Sequence, residues 1–540
     1  MPIAFWFLSG YGTLVSDFTA IERCQQSHHP LNNNMIKYAS LLLLTVCGIC
    51  ACEDKQPLDV TELTISEIHT AFKAGDMTAE QLTKAYLKRI EKYDAQTNAI
   101  TTINPDALTI AKQLDAEYRA TDTLRLLHGI PIIVKDNINT IGLPTTAGSL
   151  ALRDFVPIDN APVIQKLVDA GAIILAKSNM AEWAFSPMHS ESSTHGTTRN
   201  PYNLGHVPAG SSGGTAASVA SNFGTVGLGT DTGNSIRGPS SHCALVGFRT
   251  TLGLISRSGI IPLFLRNDVV GPMGRTVEDA TRVMEVMAGI DPTDQLTQYS
   301  EGKSFSNYQQ FLDKDGLVGT RVGVLRTLTD NSIDPEIRRL FDQSLADLET
   351  LGATVIDPLV IPGFEELRQN QWCGTFREDV ETFLSTYVKR DTVATLEDII
   401  RIGSNSEFAS ERLISNANHN GRWGTDDPCG DAYKDPQRIA FRETIERVMD
   451  SLNIDAIVYP SWNHKPASIK DFQAEYLGDN SQIISPHTGQ PAFTVPMGYT
   501  SGNLPAGLQF LGRMYDEPTL IKLTYAYEQG TQHRKPPLLK

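Results

Sequence analysis

Residues 205–250 read GHVPAGSSGGTAASVASNFGTVGLGTDTGNSIRGPSSHCALVGFRT. Glycine, serine, alanine and threonine crowd this stretch, and charges are few. Small residues let backbones approach closely and permit positive φ. A flexible linker has a similar composition, but linkers are rarely interleaved with Val219, Phe223, Val226, Leu228, Leu245, Val246 and Phe248. The stretch therefore reads as a packed core that carries a site. Its first half, from Pro208 to Gly214, is a glycine-rich loop opening a helix of small residues. Its second half, from Gly227 to Pro239, is a short strand running into a turn that presents Ser235.

The flanks supply the layers. Upstream, Gly129 to Val134 is a short apolar run ending at Lys135-Asp136, Pro162 to Ala170 has a helical pattern, and Ala172 to Ala176 is a buried strand. Strands separated by helices of this length predict α/β architecture with a large, mixed, mostly parallel sheet. Thr64 begins one amphipathic helix. Thr78 and Gln81 form a capping box for another that runs to about Tyr93. Ala107 to Thr121 is a third. Downstream, residues 292–454 are more polar and more helical, with helices over Pro335–Leu351 and Asp435–Leu452 and strands at Thr354–Ile356 and Asp455–Tyr459. Phe493–Val495, Gly507–Leu511 and a helix over Pro518–Gln529 close the chain. No repeat and no low-complexity segment interrupts it.

Three pieces carry chemistry, and each alone has an ordinary reading. Lys135 ends an apolar strand. A desolvated lysine sheds its charge and can act as a base, although a strand-end lysine more often reaches out to water. Ser211 and Ser212 sit at a helix amino terminus, where free N–H groups favour developing negative charge. Gly210 to Gly214 formally fits G-x-S-x-G with Ser212 as nucleophile, but that elbow expects a strand directly before it and none precedes Ser212. A phosphate cradle lacks its Gly-Lys-Ser/Thr ending. The third piece is the turn Asp231-Thr-Gly-Asn-Ser235, where consecutive N–H groups at Thr232, Gly233, Asn234 and Ser235 can converge on one oxygen. A solvated turn is the plain alternative.

Taken together the pieces resemble the amidase signature family. The match rests on Gly210-Ser-Ser-Gly-Gly214, on Asp231-x-Gly-x-Ser-Ile-Arg237, and on the upstream apolar-Lys135-Asp element. It extends through Ala176-Lys-Ser-Asn-Met-Ala-Glu182, Leu245-Val-Gly-Phe-Arg249, Gly271-Pro-Met273, Gly489-Gln-Pro491 and Leu504 to Gln509. It covers roughly residues 60–530 as one catalytic domain and is weakest between about 285 and 450. The resemblance implies the amidase signature fold, a large sheet covered by helices on both faces. It implies cleavage of a small-molecule or peptide carboxamide by Ser235 as nucleophile. Ser211, on a cis peptide bond, shuttles the proton, and neutral Lys135 accepts it. This replaces the histidine of a usual triad. Ser212, Asp231 and Arg237 then brace the loops. No cofactor and no metal are implied. One departure stands out: Asn234 occupies a position where the family commonly has glycine. Asn tolerates positive φ better than other side chains, so the turn is expected to survive.

The chain has 540 residues and a net charge of −16, with pI near 5.2 and no Lys/Arg-rich run, which argues against a nucleic-acid partner. The amino terminus reads as an address. Met35-Ile-Lys37, an apolar stretch over Tyr38–Ile49 and Cys50-Ala-Cys52 form a secretory signal with a lipobox-like end. Cys52 would be lipidated, residues 1–34 would be an extension upstream of the true start, and the mature protein would be an exported, lipid-anchored bacterial protein. Of seven cysteines, Cys243, Cys373 and Cys429 remain in the body. They allow at most one disulfide, and the sequence does not say which.

Three other functions compete. The glutaminase component of a transfer-RNA amidotransferase shares these motifs, but the export signal opposes it. A lipid-anchored binding protein on an inactive scaffold is opposed by the intact Lys135, Ser211 and Ser235. A metal hydrolase lacks a His-Glu-x-x-His motif. The substrate and the oligomeric state are not legible. Trp183, Phe185, Trp372 and Trp423 are candidates for an apolar pocket.

Overall fold

The computed structural model describes residues 58–329, 332–423 and 429–540. The signal expected over residues 35–52, the lipidation expected at Cys52 and the extension expected over 1–34 lie outside the described residues.

Three helices open the described chain: α1 (Ile65–Ala74), α2 (Ala79–Thr97) and α3 (Ala107–Thr121). α1 and α2 both start with complete capping boxes, Thr64 with Glu67 and Thr78 with Gln81. Behind them lies an eleven-stranded sheet. Its strands are β1 (Ile100–Ile103), β2 (Pro131–Lys135), β3 (Ile173–Ser178), β4 (Val226–Asp231), β5 (Val246–Arg249), β6 (Val269–Gly274), β7 (Arg321–Val324), β8 (Thr354–Ile356), β9 (Ala456–Pro460), β10 (Ala492–Thr500) and β11 (Leu504–Leu511). The spatial order is β1-β3-β2-β4-β6-β5-β10-β11-β9-β7-β8.

The expected predominance of parallel pairing is corrected. β2 pairs in parallel with β3 and β4, and β7 with β8 and β9. The other six pairings are antiparallel. Parallel pairs arise where a helix crosses between strands, as α4 (Pro162–Asp169) does between β2 and β3. β10 and β11 need only the three-residue turn Ser501–Asn503, which reverses the chain. β10 also runs well past the expected Phe493–Val495, through a register shift between Pro496 and Gly498.

Helices pack around the sheet. α5 (Gly213–Ala220) lies on β4, and α6 (Arg237–His242) lies on β5, β10 and β11. α7 (Val277–Met287) packs on β6, and α8 (Pro335–Thr350) on β10. The glycines of the central stretch explain how closely α5 sits. A Cβ on Gly227 would come within 2.4 Å of Thr215 Cγ2, and one on Gly229 within 2.9 Å of Ser212 Oγ. A second apolar cluster gathers Trp183, Phe185, Phe376, Val380, Leu396 and Leu413, drawing on α9 (Phe376–Phe383), α10 (Leu396–Ile402) and α11 (Glu407–Ala417). A disulfide joins Cys373 to Cys429, with their Cα atoms 6.2 Å apart, and Cys243 is free and buried. Long helices α12 (Pro436–Ser451) and α13 (Glu517–Thr531) complete the described chain. No helix among the described residues is long and apolar enough to cross a membrane.

Candidate active site

Parallel pairing of β2 with β4 brings the three pieces together. Lys135, the last residue of β2, is fully buried. Its Nζ is hydrogen-bonded to Ser211 Oγ at 2.7 Å and donates to Thr230 Oγ1 at 2.8 Å. Burial pushes the amine down to about 7, against the opposing pull of Asp231 and Asp268. The Gly210–Ser211 peptide bond is cis. Asn137 Nδ2 also donates to Thr230 Oγ1, at 3.2 Å, so Thr230 is held from two sides.

Ser212 does not face the site as a nucleophile would. It occupies the position before the first turn of α5 without a side-chain capping bond; its Oγ donates to Thr230 O at 3.1 Å and accepts from Thr230 N. The hydroxyl therefore stitches the glycine loop to β4. Ser190 works from the other side. Its Oγ donates to Ala209 O at 3.1 Å and accepts from Gly213 N at 3.0 Å.

Asp231 and Arg237 brace the second loop. Asp231 is buried between Arg237 and Arg249, at 3.1 and 2.8 Å, and also accepts from Ile236 N. Burial alone would raise this carboxyl, but the two guanidinium groups overcome it and hold it at about 2. Arg237 donates to Gly233 O at 2.6 Å and Arg249 to Asn267 O at 2.7 Å. Thr232 Oγ1 donates to Asp268 at 2.5 Å. The turn is thus fixed by side chains. The N–H groups of Thr232, Gly233, Asn234 and Ser235 find no protein acceptor among the described residues. Four backbone donors in one turn are thus left without a protein acceptor, the kind of group an oxyanion would need.

Ser235 lies at the floor of a cavity of about 300 Å³. In this geometry its Oγ lies 3.5 Å from Asn234 Oδ1 and is not hydrogen-bonded to Ser211. Asn234 is not among the positive-φ residues, so the left-handed conformation anticipated for it is not used. Its amide instead donates to Pro187 O at 3.3 Å. Gly238 leaves room for it, since a Cβ there would come 2.8 Å from Asn234 Nδ2.

Phe185, Trp372 and Trp423 line the cavity, with Leu263 and Phe264 beside them. Trp183 does not. It is buried against Phe376 in the second cluster. Thr230, Asp268 and Arg249 in the support, and Gln482, Asn416 and Arg412 in the lining, were not singled out in the sequence as site residues. Asp268, Arg412, Asn416 and Gln482 lie far from the motif in sequence, whereas Thr230 and Arg249 lie in or beside it but have ordinary structural readings there. Among the described residues no histidine is hydrogen-bonded to Ser235. His189 is held by Ser186 and Glu191, and His242 is buried on Trp462, where burial pushes it down to about 3.

The family described as Amidase matches residues 81–521. The chain belongs to the amidase family. Among its relatives, a protein named a probable amidase from Arabidopsis thaliana is 33% identical, over 92% of this chain and 95% of that one. A glutamyl-tRNA(Gln) amidotransferase component from Microcystis aeruginosa is 32% identical, over 88% and 99%. The solved peptide amidase of Stenotrophomonas maltophilia superposes with a TM-score of 0.78 at 34% identity, covering 89% of this chain and 99% of that one. The amidase signature fold is thus shared over most of the described chain, and Lys135, Ser211 and Ser235 are all buried, with Lys135 hydrogen-bonded to Ser211.

Proposed function

We propose that this amidase hydrolyses a carboxamide bond through an acyl-enzyme on Ser235. The observation that carries the reading is Lys135: a wholly buried amine, poised near neutrality, hydrogen-bonded to Ser211 beside a cavity that exposes Ser235. Ser235 Oγ attacks the carbonyl carbon as its proton passes to Ser211, whose own proton passes to Lys135. The oxyanion is taken by the N–H groups at 232–235. The C–N bond then breaks, and the proton returns from Lys135 through Ser211 to the leaving nitrogen. Water releases the carboxylate by the reverse relay. The Ser211–Ser235 link must close when substrate binds, and catalytic hydrogen bonds often tighten only at that point.

The aromatic walls favour an apolar acyl group, carried by a small-molecule or peptide amide, and the likeness to a peptide amidase points the same way. The glutaminase component of a transfer-RNA amidotransferase is the second reading, favoured by the identity to such proteins. We also propose that the protein is exported and lipid-anchored at Cys52. The Cys373–Cys429 disulfide is in keeping with an oxidising compartment. Radiolabelled palmitate incorporated into the protein, but not into Cys52→Ala, tests the anchor.

The test of function is ammonia release from aliphatic amides, aryl amides, peptide amides and glutamine, comparing the protein with Ser235→Ala. Turnover of a peptide or acyl amide that Ser235→Ala loses is the expected result. Turnover of glutamine alone supports the second reading. Undiminished turnover by Ser235→Ala removes Ser235 as nucleophile.

A further inference from the structure

The cavity has a polar group whose orientation is fixed from behind. Gln482 lies in its lining, next to Gly233 of the turn that precedes Ser235. A Cβ on Gly233 would sit 3.0 Å from Gln482 Oε1, so the glutamine oxygen rests against the backbone of that turn. The other end of the amide is committed. Gln482 Nε2 donates to Asp479 Oδ2 at 2.9 Å and to the Tyr476 hydroxyl oxygen. Tyr476 spends its single proton on the same carboxylate oxygen, at 3.0 Å. With that proton spent, the Tyr476 oxygen can only accept from Gln482. The atom facing Tyr476 and Asp479 is then the nitrogen, and the oxygen faces the cavity.

The support is itself anchored. Tyr476 packs edge-on against Trp462 at 5.4 Å, and Trp462 Nε1 donates to Leu477 O at 2.7 Å. Asn480 Nδ2 donates to Pro460 O at 3.0 Å, and Ser481 Oγ to Ser461 O at 3.1 Å. Gln482 thus projects from a tethered turn. Its Oε1 accepts from no protein donor among the described residues.

A fixed acceptor beside those backbone donors calls for a ligand donor close to the reacting carbonyl. On the acyl side of an amide, the nearest such donor is an N–H on the α carbon, about 2.5 Å from the carbonyl carbon by covalent geometry. Resting on the amide-hydrolase reading above, we propose that Gln482 is a specificity-determining residue. Its Oε1 accepts the α N–H of the acyl group, so the enzyme selects amides of N-acylated amino acids and peptide amides over amides with carbon at that position. A site built to pair with an N–H discriminates against analogues that lack it, because the site's own polar group is left unmatched.

The experiment compares kcat/KM for N-acetylphenylalanine amide, its α-N-methyl derivative and 3-phenylpropanamide, in the wild-type protein and in Gln482→Met. It is run at about pH 8, above the value of about 7 to which burial pushes Asp479, so that the carboxylate accepts. The wild type is expected to prefer the N–H substrate over both analogues by roughly tenfold or more, equivalent to about 1.4 kcal/mol. Gln482→Met is expected to bring the ratios to within about twofold of unity. Equal wild-type rates on the three substrates overturn the proposal, as does a preference that survives in Gln482→Met. If the variant loses all activity, the α-N-methyl comparison in the wild type decides. If the wild type hydrolyses no amide in the panel, the amide-hydrolase reading falls, and this inference with it. Hydrolysis without discrimination sinks this inference alone.

Discussion

Lys135 and Lys177 stand at the ends of two adjacent parallel strands, and both are wholly buried. Burial pushes both amines down, Lys135 to about 7 and Lys177 to about 8. The register pairs Lys177 with Val134, and Ser178 with Lys135. Side chains alternate along a strand, so one step of register sends the two amines to opposite faces of the sheet. Lys135 meets Ser211 Oγ and Thr230 Oγ1. Lys177 meets Ile138 O at 2.5 Å and Thr145 Oγ1 at 2.9 Å, with Asp136 as its counter-charge. Desolvation alone therefore does not make a base. What separates the two lysines is their partners: the Ser211 hydroxyl, on the glycine-rich loop, for Lys135, and one carbonyl and one threonine hydroxyl for Lys177.

The sharpest way to break this comparison is to remove each amine. Lys135→Ala should lower kcat by roughly a thousandfold or more at neutral pH, the scale of a lost general base. Lys177→Met should keep kcat within about threefold but lower stability by roughly 3 kcal/mol, because buried Asp136 loses its cation. Steady-state kinetics and thermal unfolding of both variants read these effects, and equal loss of kcat from the two would erase the distinction.

The next effect lies in the brace beneath Ser235. Asp231→Ala leaves Arg237 and Arg249 buried without their shared carboxylate and should cost about 3–5 kcal/mol by denaturant unfolding. A change below about 1 kcal/mol would mean the loop is held by its backbone alone.

The pH profile distinguishes the lysines more finely. The relay needs Lys135 neutral. Below its value of about 7 the amine is protonated, and the neutral fraction falls tenfold per pH unit. The kcat/KM of the wild type should therefore climb with pH up to about 7 and level off above it. An inflection near 8 would point to Lys177 instead.

The smallest effect concerns the outer wall. Cys373 follows Trp372 directly, so the disulfide to Cys429 anchors the chain next to a cavity-lining tryptophan, whose O accepts from Trp423 N at 3.0 Å. Cys429→Ala should raise KM by roughly threefold, leave kcat unchanged and lower Tm by a few degrees. An unchanged KM would show that the wall stands without its clip.

The 205–250 stretch and the 370–430 wall were not equally legible. In the first, the loops are short and the chemistry is local. Small residues are needed wherever α5 presses on β4, and a serine in a glycine turn announces itself. Within the wall, Trp372 and Trp423 meet Phe264 and Gln482 from other segments, and these residues are far apart in the chain and individually ordinary. The reading of Trp183 as a pocket residue failed for the same reason, since an aromatic gives no sign of whether it faces a cavity or a core. The parallel sheet was overcalled because strand–helix alternation was visible whereas the β10–β11 reversal, made by a three-residue turn, was not.

The sequence by itself determined the family and the α/β class, and it singled out Lys135, Ser211 and Ser235, because these depend on residue type and short spacing. Only the tertiary structure decided that Ser212 turns inward to Thr230, that Lys177 is buried as deeply as Lys135, which cysteines pair and which side chains wall the cavity. Those outcomes depend on strand register and on contacts between distant segments, and no local pattern encodes either.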